Sequence, residues 1–116
     1  MITNINIKID YTINPIFNKG IFNNIVYKFN LKNTTIVKGI LTLDDIIKTI
    51  PYIESLNSDF YATLSEHIVE CIIIELDEKI GVKIDKKEFC NEYTDLFENF
   101  IADLKTNVKN IQTDMK

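Results

Sequence analysis

Ile5, Ile7, Ile9, Tyr11 and Ile13 alternate with Asn6, Lys8, Asp10 and Thr12, the period-two pattern of a strand with one buried and one wet face. Asn14-Pro15 and the stretch through Lys19-Gly20 interrupt it, because proline supplies no ladder donor and glycine favours turns. The alternation resumes with Ile25, Tyr27, Phe29 and Leu31 set against Lys28, Asn30 and Lys32. A turn at Lys32-Asn33-Thr34 leads into a third run over 35–41. Residues 1–41 therefore predict a three-stranded antiparallel sheet.

At Thr42 the period changes. Thr42 and Asp45 stand at capping-box spacing and Leu41 and Ile46 at staple spacing, which predicts a short helix that Pro51 ends or kinks. A second helix is expected from near Asn57 or Ser58 to Gly81, with Phe60, Tyr61, Leu64, Ile68, Cys71, Ile72 and Leu76 on one face. Within that face Glu75 is out of place, and Lys79 one turn on is its natural partner. A third start has Asp85 as N-cap, Glu88 at N3, and Ile84 and Phe89 as staple. From there Phe89, Tyr93, Leu96, Phe97, Phe100, Ile101, Leu104, Val108 and Ile111 form one stripe at helical spacing. The expected fold is α+β in a single domain over 1–116, with the sheet in 1–41. One short and two long helices in 42–116 pack on one sheet face.

Composition adds little to the fold and more to the surface. All thirteen cationic residues are lysine, beside many isoleucines and asparagines, a bias typical of an AT-rich genome. Without arginine the chain lacks the planar fork that reads guanine edges and grips phosphate, so sequence-specific nucleic-acid binding is not expected. Through Leu43, five lysines (Lys8, Lys19, Lys28, Lys32, Lys38) oppose Asp10 alone, and from Asp44 onward eight lysines oppose sixteen acids. Two cysteines are too few for a disulfide framework, and no charged leader precedes an apolar run. A cytoplasmic setting without membrane insertion is the expectation.

Candidate chemistry is sparse. His67-Ile68-Val69-Glu70-Cys71 resembles the inverted zincin motif H-x-x-E-H with cysteine in the last place. The chain has no second histidine to complete a ligand shell, and Cys71 falls in the apolar stripe, where free cysteine behaves as a small hydrophobe. A rim histidine over a core cysteine is the expected arrangement. Cys90, at the edge of the aromatic stripe, is read as a structural cysteine, buried or half-buried. Phe89, Tyr93, Phe97 and Phe100 are interleaved with Glu92, Asp95, Glu98 and Asp103, whereas base-stacking platforms carry cations between the rings, so the stripe is read as core or protein interface. No catalytic residue, metal or cofactor is expected. Lys8, Lys28, Lys32 and Lys38 on the wet sheet face are read as solubilising charge.

The acidic helix faces are the remaining signal: Glu66, Glu70 and Asp77 on the second helix, and Glu88, Glu92, Asp95 and Glu98 on the third. Such a series projects negative potential that attracts a basic protein partner. In size, acidity and AT-rich composition the chain is similar to small acidic inhibitors made by phages and mobile elements, including those aimed at CRISPR effectors. That resemblance implies a non-enzymatic binding module. A phage assembly chaperone or a bacterial immunity protein is the alternative. Finally, a third helix running from 86 to about 111 would be roughly 39 Å long, against strands of about 20 to 30 Å. Leu104, Val108 and Ile111 are therefore expected to outrun their cover and to form a homodimer contact.

Overall fold

In the computed structural model, which describes residues 7–48 and 54–114, the N-terminal part is a meander of three antiparallel strands. These are β1 (Ile9–Asn18), β2 (Ile21–Leu31) and β3 (Thr34–Thr42), in the order β1-β2-β3. Ile7 precedes β1, and Ile5 lies outside the described residues. Asn14-Pro15 does not end the first strand, contrary to expectation. Pro15 stays in register opposite Ile25, and β1 is an edge strand, where the missing N–H is tolerated. Beyond it the strands close through Lys19 and Gly20, both at positive φ. Two left-handed residues are what a tight type I′ hairpin needs. The first hairpin is thus longer than the alternation alone indicates.

The helical layer follows as α1 (Leu43–Lys48), α2 (Glu54–Ile80), α3 (Lys86–Glu92) and α4 (Thr94–Asp114). At the start of α1 the Asp45 amide donates to Thr42 Oγ1 at 3.3 Å, and the Thr42 amide donates to Asp45 Oδ2 at 2.8 Å. Leu41 and Ile46 are both buried beside this box. Pro51 lies outside the described residues. Helix α2 begins at Glu54, earlier than Asn57 or Ser58, and ends at Gly81, whose φ is 66°. The Gly81 amide donates to the Asp77 carbonyl at 2.9 Å and the Val82 amide to the Leu76 carbonyl at 3.5 Å, closing the helix with a left-handed glycine. Glu75 pairs with Lys79 at 3.9 Å.

The second of the two expected long helices is in fact two. Asp85 caps α3 by accepting from the Glu88 amide at 3.1 Å, and α3 stops where Tyr93 turns to φ −110°, ψ 24°. Two interactions sit at the break. Thr94 Oγ1 donates to the Cys90 carbonyl at 2.7 Å, a back-bond that bends helices. The Tyr93 hydroxyl donates to the Ile7 carbonyl, which ties this point of the helical layer to the chain leading into β1.

One apolar cluster joins the two layers. Phe29, on the central strand, is fully buried and meets the rings of Phe100 at 4.7 Å, Phe97 at 5.5 Å and Tyr11 at 6.0 Å. The C-terminal stripe belongs to the same cluster: Leu104, Val108 and Ile111 are buried within the chain. The expectation that they project as an uncovered homodimer contact is therefore corrected. Two changes of length account for it. Because β2 has 11 residues it spans about 36 Å, and because the helix is broken, α4 with 21 residues spans about 31 Å. Helix α1 adds cover, with Gln112 Nε2 donating to the Ile46 carbonyl at 3.1 Å.

Gly39 on β3 sits directly opposite Tyr27, and a Cβ there would overlap the Tyr27 ring and hydroxyl. Tyr27 cannot swing aside, since its ring is held edge-on by Phe29 and Phe100. Gly39→Ala is expected to destabilise the fold by about 1–3 kcal/mol, the usual cost of overpacking. Urea unfolding of the two proteins measures it, and equal midpoints would contradict the contact.

Candidate functional site

Helices α2 and α3 bring together acids and lysines far apart in sequence. Glu66 and Glu70 lie one turn apart on the exposed side of α2, and Lys86, the first residue of α3, donates to both at 3.0 Å. These hydrogen bonds hold the Lys86 ammonium above its ordinary pKa. All three groups are well exposed, so the triad contributes little to stability, and it neutralises half of the carboxylate charge at this point. Asp77, further along α2, is exposed.

The other acids divide by burial. Glu92, Asp95 and Glu98 are exposed and make no ion pair among the described residues. Glu88, expected on the same wet face, is half-buried, and its Oε2 is enclosed without a hydrogen-bond partner among the described residues. It does not complete the capping box. Asp103 is also withdrawn from the acidic face, because it accepts from the Tyr11 hydroxyl of β1. The unpaired negative series is thus narrower than the spacing of acids indicates.

Beside this series lies an open groove of about 590 Å³. Its α2 wall is formed by Tyr61, Ala62, Ser65 and Val69, and its other wall by Cys90 of α3 and by Thr94, Phe97, Glu98, Ile101, Ala102 and Lys105. Side-chain contacts bridge the helices at both ends. The Lys86 triad joins α2 to α3 one turn before Cys90, and Lys105 Nζ lies 5.1 Å from the Tyr61 ring centroid, joining α2 to α4. Sequence reasoning reads the stripe that holds Phe97 and Ile101 as core or protein interface, and Phe97 is buried, but it does not find this groove. It also places Cys90 wrongly: the residue is exposed and lies on the groove wall. Exposed Ala62 and Ala102 are the one sequence signal, being small residues where the two helices diverge.

His67 and Cys71 are brought together, with Nε2 and Sγ 3.7 Å apart. The histidine is exposed and the cysteine half-buried, as a rim histidine over a core cysteine. Among the described residues no group of three or more histidine, cysteine or carboxylate side chains converges to hold a metal. On the opposite side of the molecule, Lys28 faces Lys38 directly across the β2–β3 ladder, and Lys8 and Lys32 are exposed near the same end. Like charges so placed repel. The first hairpin also exposes Ile16, Phe17 and Ile21 near its tip. Among the described residues no helix is long and apolar enough to cross a membrane.

Comparison with known proteins returns no matching family model, curated protein or solved structure. The surface itself is therefore the ground for a functional reading.

The Tyr11 hydroxyl is pushed up to about 12, first by burial and then by its hydrogen bond to Asp103 and that carboxylate's charge. Burial likewise raises Tyr27, with Cys71 and Asp45 adding to it. In the unfolded chain Tyr11 would titrate near 10.0. The folded chain thus holds this proton more tightly, and the associated stability is complete below pH 10.0 and lost as pH rises toward about 12. Tyr11→Phe removes this dependence: over that interval its melting temperature should fall less steeply than that of the parent protein. Parallel curves would show that Tyr11 and Asp103 are not coupled.

Proposed function

We propose that this chain is a non-catalytic binding module whose acidic helical surface engages a basic protein partner. The observation that carries this reading is the exposed series Glu92, Asp95 and Glu98, which lacks ion pairs among the described residues, while the chain's own lysine pair Lys28 and Lys38 lies on the sheet. Charge left unpaired on one side of a protein steers and orients an oppositely charged partner. Glu66 and Glu70 extend the surface with the one negative charge in excess of Lys86, and Asp77 lies further along the same helix. Glu88, half-buried, is left out of the contact.

The partner class this chemistry fits best is a protein that handles nucleic acid. Such proteins line their channels with lysine and arginine to meet phosphates, and a row of carboxylates presents those side chains with a substitute polyanion. The module would then inhibit by occupying the channel, as the compositional resemblance to phage-encoded inhibitors of CRISPR effectors implies. His67 and Cys71 have no catalytic part in this reading.

Changing Glu92, Asp95 and Glu98 together to lysine is expected to leave the fold intact, because the three side chains are exposed and loss of the acid from the first turn of α4 costs only about 1 kcal/mol. It should weaken the partner complex by about tenfold or more at moderate salt, and the parent complex should weaken as salt is raised. Affinity purification from a host lysate, followed by titration of the purified partner, tests both. A partner that is not basic, or a complex indifferent to salt and to the triple reversal, would refute the proposal.

A further inference from the structure

We infer that the open edge of β3, over 37–41, is extended by a strand of a partner protein that sets a carboxylate beside Lys38. This goes beyond the reading above, since it concerns the sheet and a partner segment of opposite charge. Among the described residues the sheet has two edges, β1 and β3. Alternate residues of an edge strand turn amides and carbonyls outward without a protein partner, and an extended backbone is what matches such a row. The two edges differ. β1 carries Pro15 and a register shift between Ile16 and Phe17, which both obstruct addition. The register shift of β3 lies opposite Phe29 and Asn30, and beyond it residues 37–41 pair with β2 without interruption and include no proline. Among the described residues no backbone group of 37–41 bonds outside the sheet.

The rows on the wet sheet face decide which strand fits. Thr12, Lys28 and Lys38 form one row across the three strands, and Asn14, Val26 and Ile40 form the next. Neither lysine has an ion pair among the described residues. Asp10, the one carboxylate on the three strands, stands in a different row, opposite Asn30 on the far edge, and leaves the repulsion between Lys28 and Lys38 in place. A fourth strand continues both rows. Its residue beside Lys38 meets an unmatched ammonium, which a carboxylate satisfies. Its residue two positions away lies beside Ile40, which is 50% exposed, and an apolar side chain there covers it. Because β3 contains no acid, a second β3 paired edge to edge cannot supply the carboxylate, and a lysine-bearing strand adds a third like charge to the row. The occupant is therefore an extended segment with an acid and an apolar residue two apart.

The test uses the full chain and three end-blocked, threonine-rich peptides of equal length, with valine two residues to either side of the centre. One has glutamate at the centre, one has lysine, and the third is the glutamate peptide with its backbone amides N-methylated. By fluorescence anisotropy the glutamate peptide should bind about fivefold tighter than the lysine one, the difference between opposite and like charge across a ladder. At saturation it should slow hydrogen exchange of the amides in 37–41, followed by NMR, and leave those of α4 unchanged. The N-methylated peptide should lose both effects. Lys38→Glu, at an exposed position where substitution costs little, should reverse the preference in favour of the lysine peptide. Equal binding of the glutamate and lysine peptides would overturn the charge assignment. A preference that survives N-methylation would show a side-chain contact without strand addition, and protection on β1 instead of β3 would place the strand on the wrong edge; either overturns the proposal. Protection of 37–41 that grows with protein concentration in the absence of peptide would assign the edge to a second copy and overturn it as well.

Discussion

The packing of Phe29 against Phe100 is the contact on which the two layers depend. Phe29 projects from the middle strand of three and Phe100 from the helix laid across them, and both are sealed from solvent. Around them Tyr11, Tyr27 and Phe97 complete a ring cluster with edge-on, tilted and stacked pairs. Its demands propagate outward. The Tyr27 ring takes the space that a side chain on β3 would occupy, so Gly39 stands opposite it. The Tyr11 ring, held edge-on to Phe100 at 5.3 Å, carries its hydroxyl to Asp103 one turn along the same helix. A surface carboxylate is thereby spent on fixing the layers together.

What the sequence makes legible follows from which forces are local. Strand alternation and helix caps are short-range, and the Thr42–Asp45 and Asp85–Glu88 starts are read correctly from spacing. Pro15 is misread because its tolerance depends on β1 being an edge, a property of the whole sheet. The break at Tyr93 is invisible to periodicity: the apolar stripe continues unbroken through it, and the bonds found there, a Thr94 back-bond and a reach to Ile7, leave no mark on the stripe. The misplaced ends of Leu104, Val108 and Ile111 follow from those two errors combined, a hairpin taken as too short and a helix taken as too long. At the candidate surface, exposure of Glu92, Asp95 and Glu98 is legible from helical period. Capture of Glu66 and Glu70 by Lys86, and the turning of Cys90 outward, are tertiary and have no local signal.

Charge is arranged by layer. The sheet carries Lys28 and Lys38 side by side at a cost that their mutual repulsion sets, and the helices carry Glu92, Asp95 and Glu98, without ion pairs among the described residues. A molecule so divided presents different charge on its two layers. An approaching polycation is turned toward the helices and away from the sheet before any contact forms, which restricts the orientations sampled in encounter. The same division places repelling charge on the face that a nucleic acid would otherwise meet through the helices.

Pro15 on β1 bears on a different problem. Among the described residues β1 is an open edge of the sheet, and open edges invite strands of other molecules to add to them. The stretch most exposed to such recruitment, with Ile16, Phe17 and Ile21 near the hairpin tip, begins at the residue after the proline. A strand adding alongside would find no donor at Pro15, and the register shift between Ile16 and Phe17 bends the ladder just beyond it. The irregularity that hides the end of the first strand from a sequence reader is thus also a guard against polymerisation, set next to the segment that most needs one.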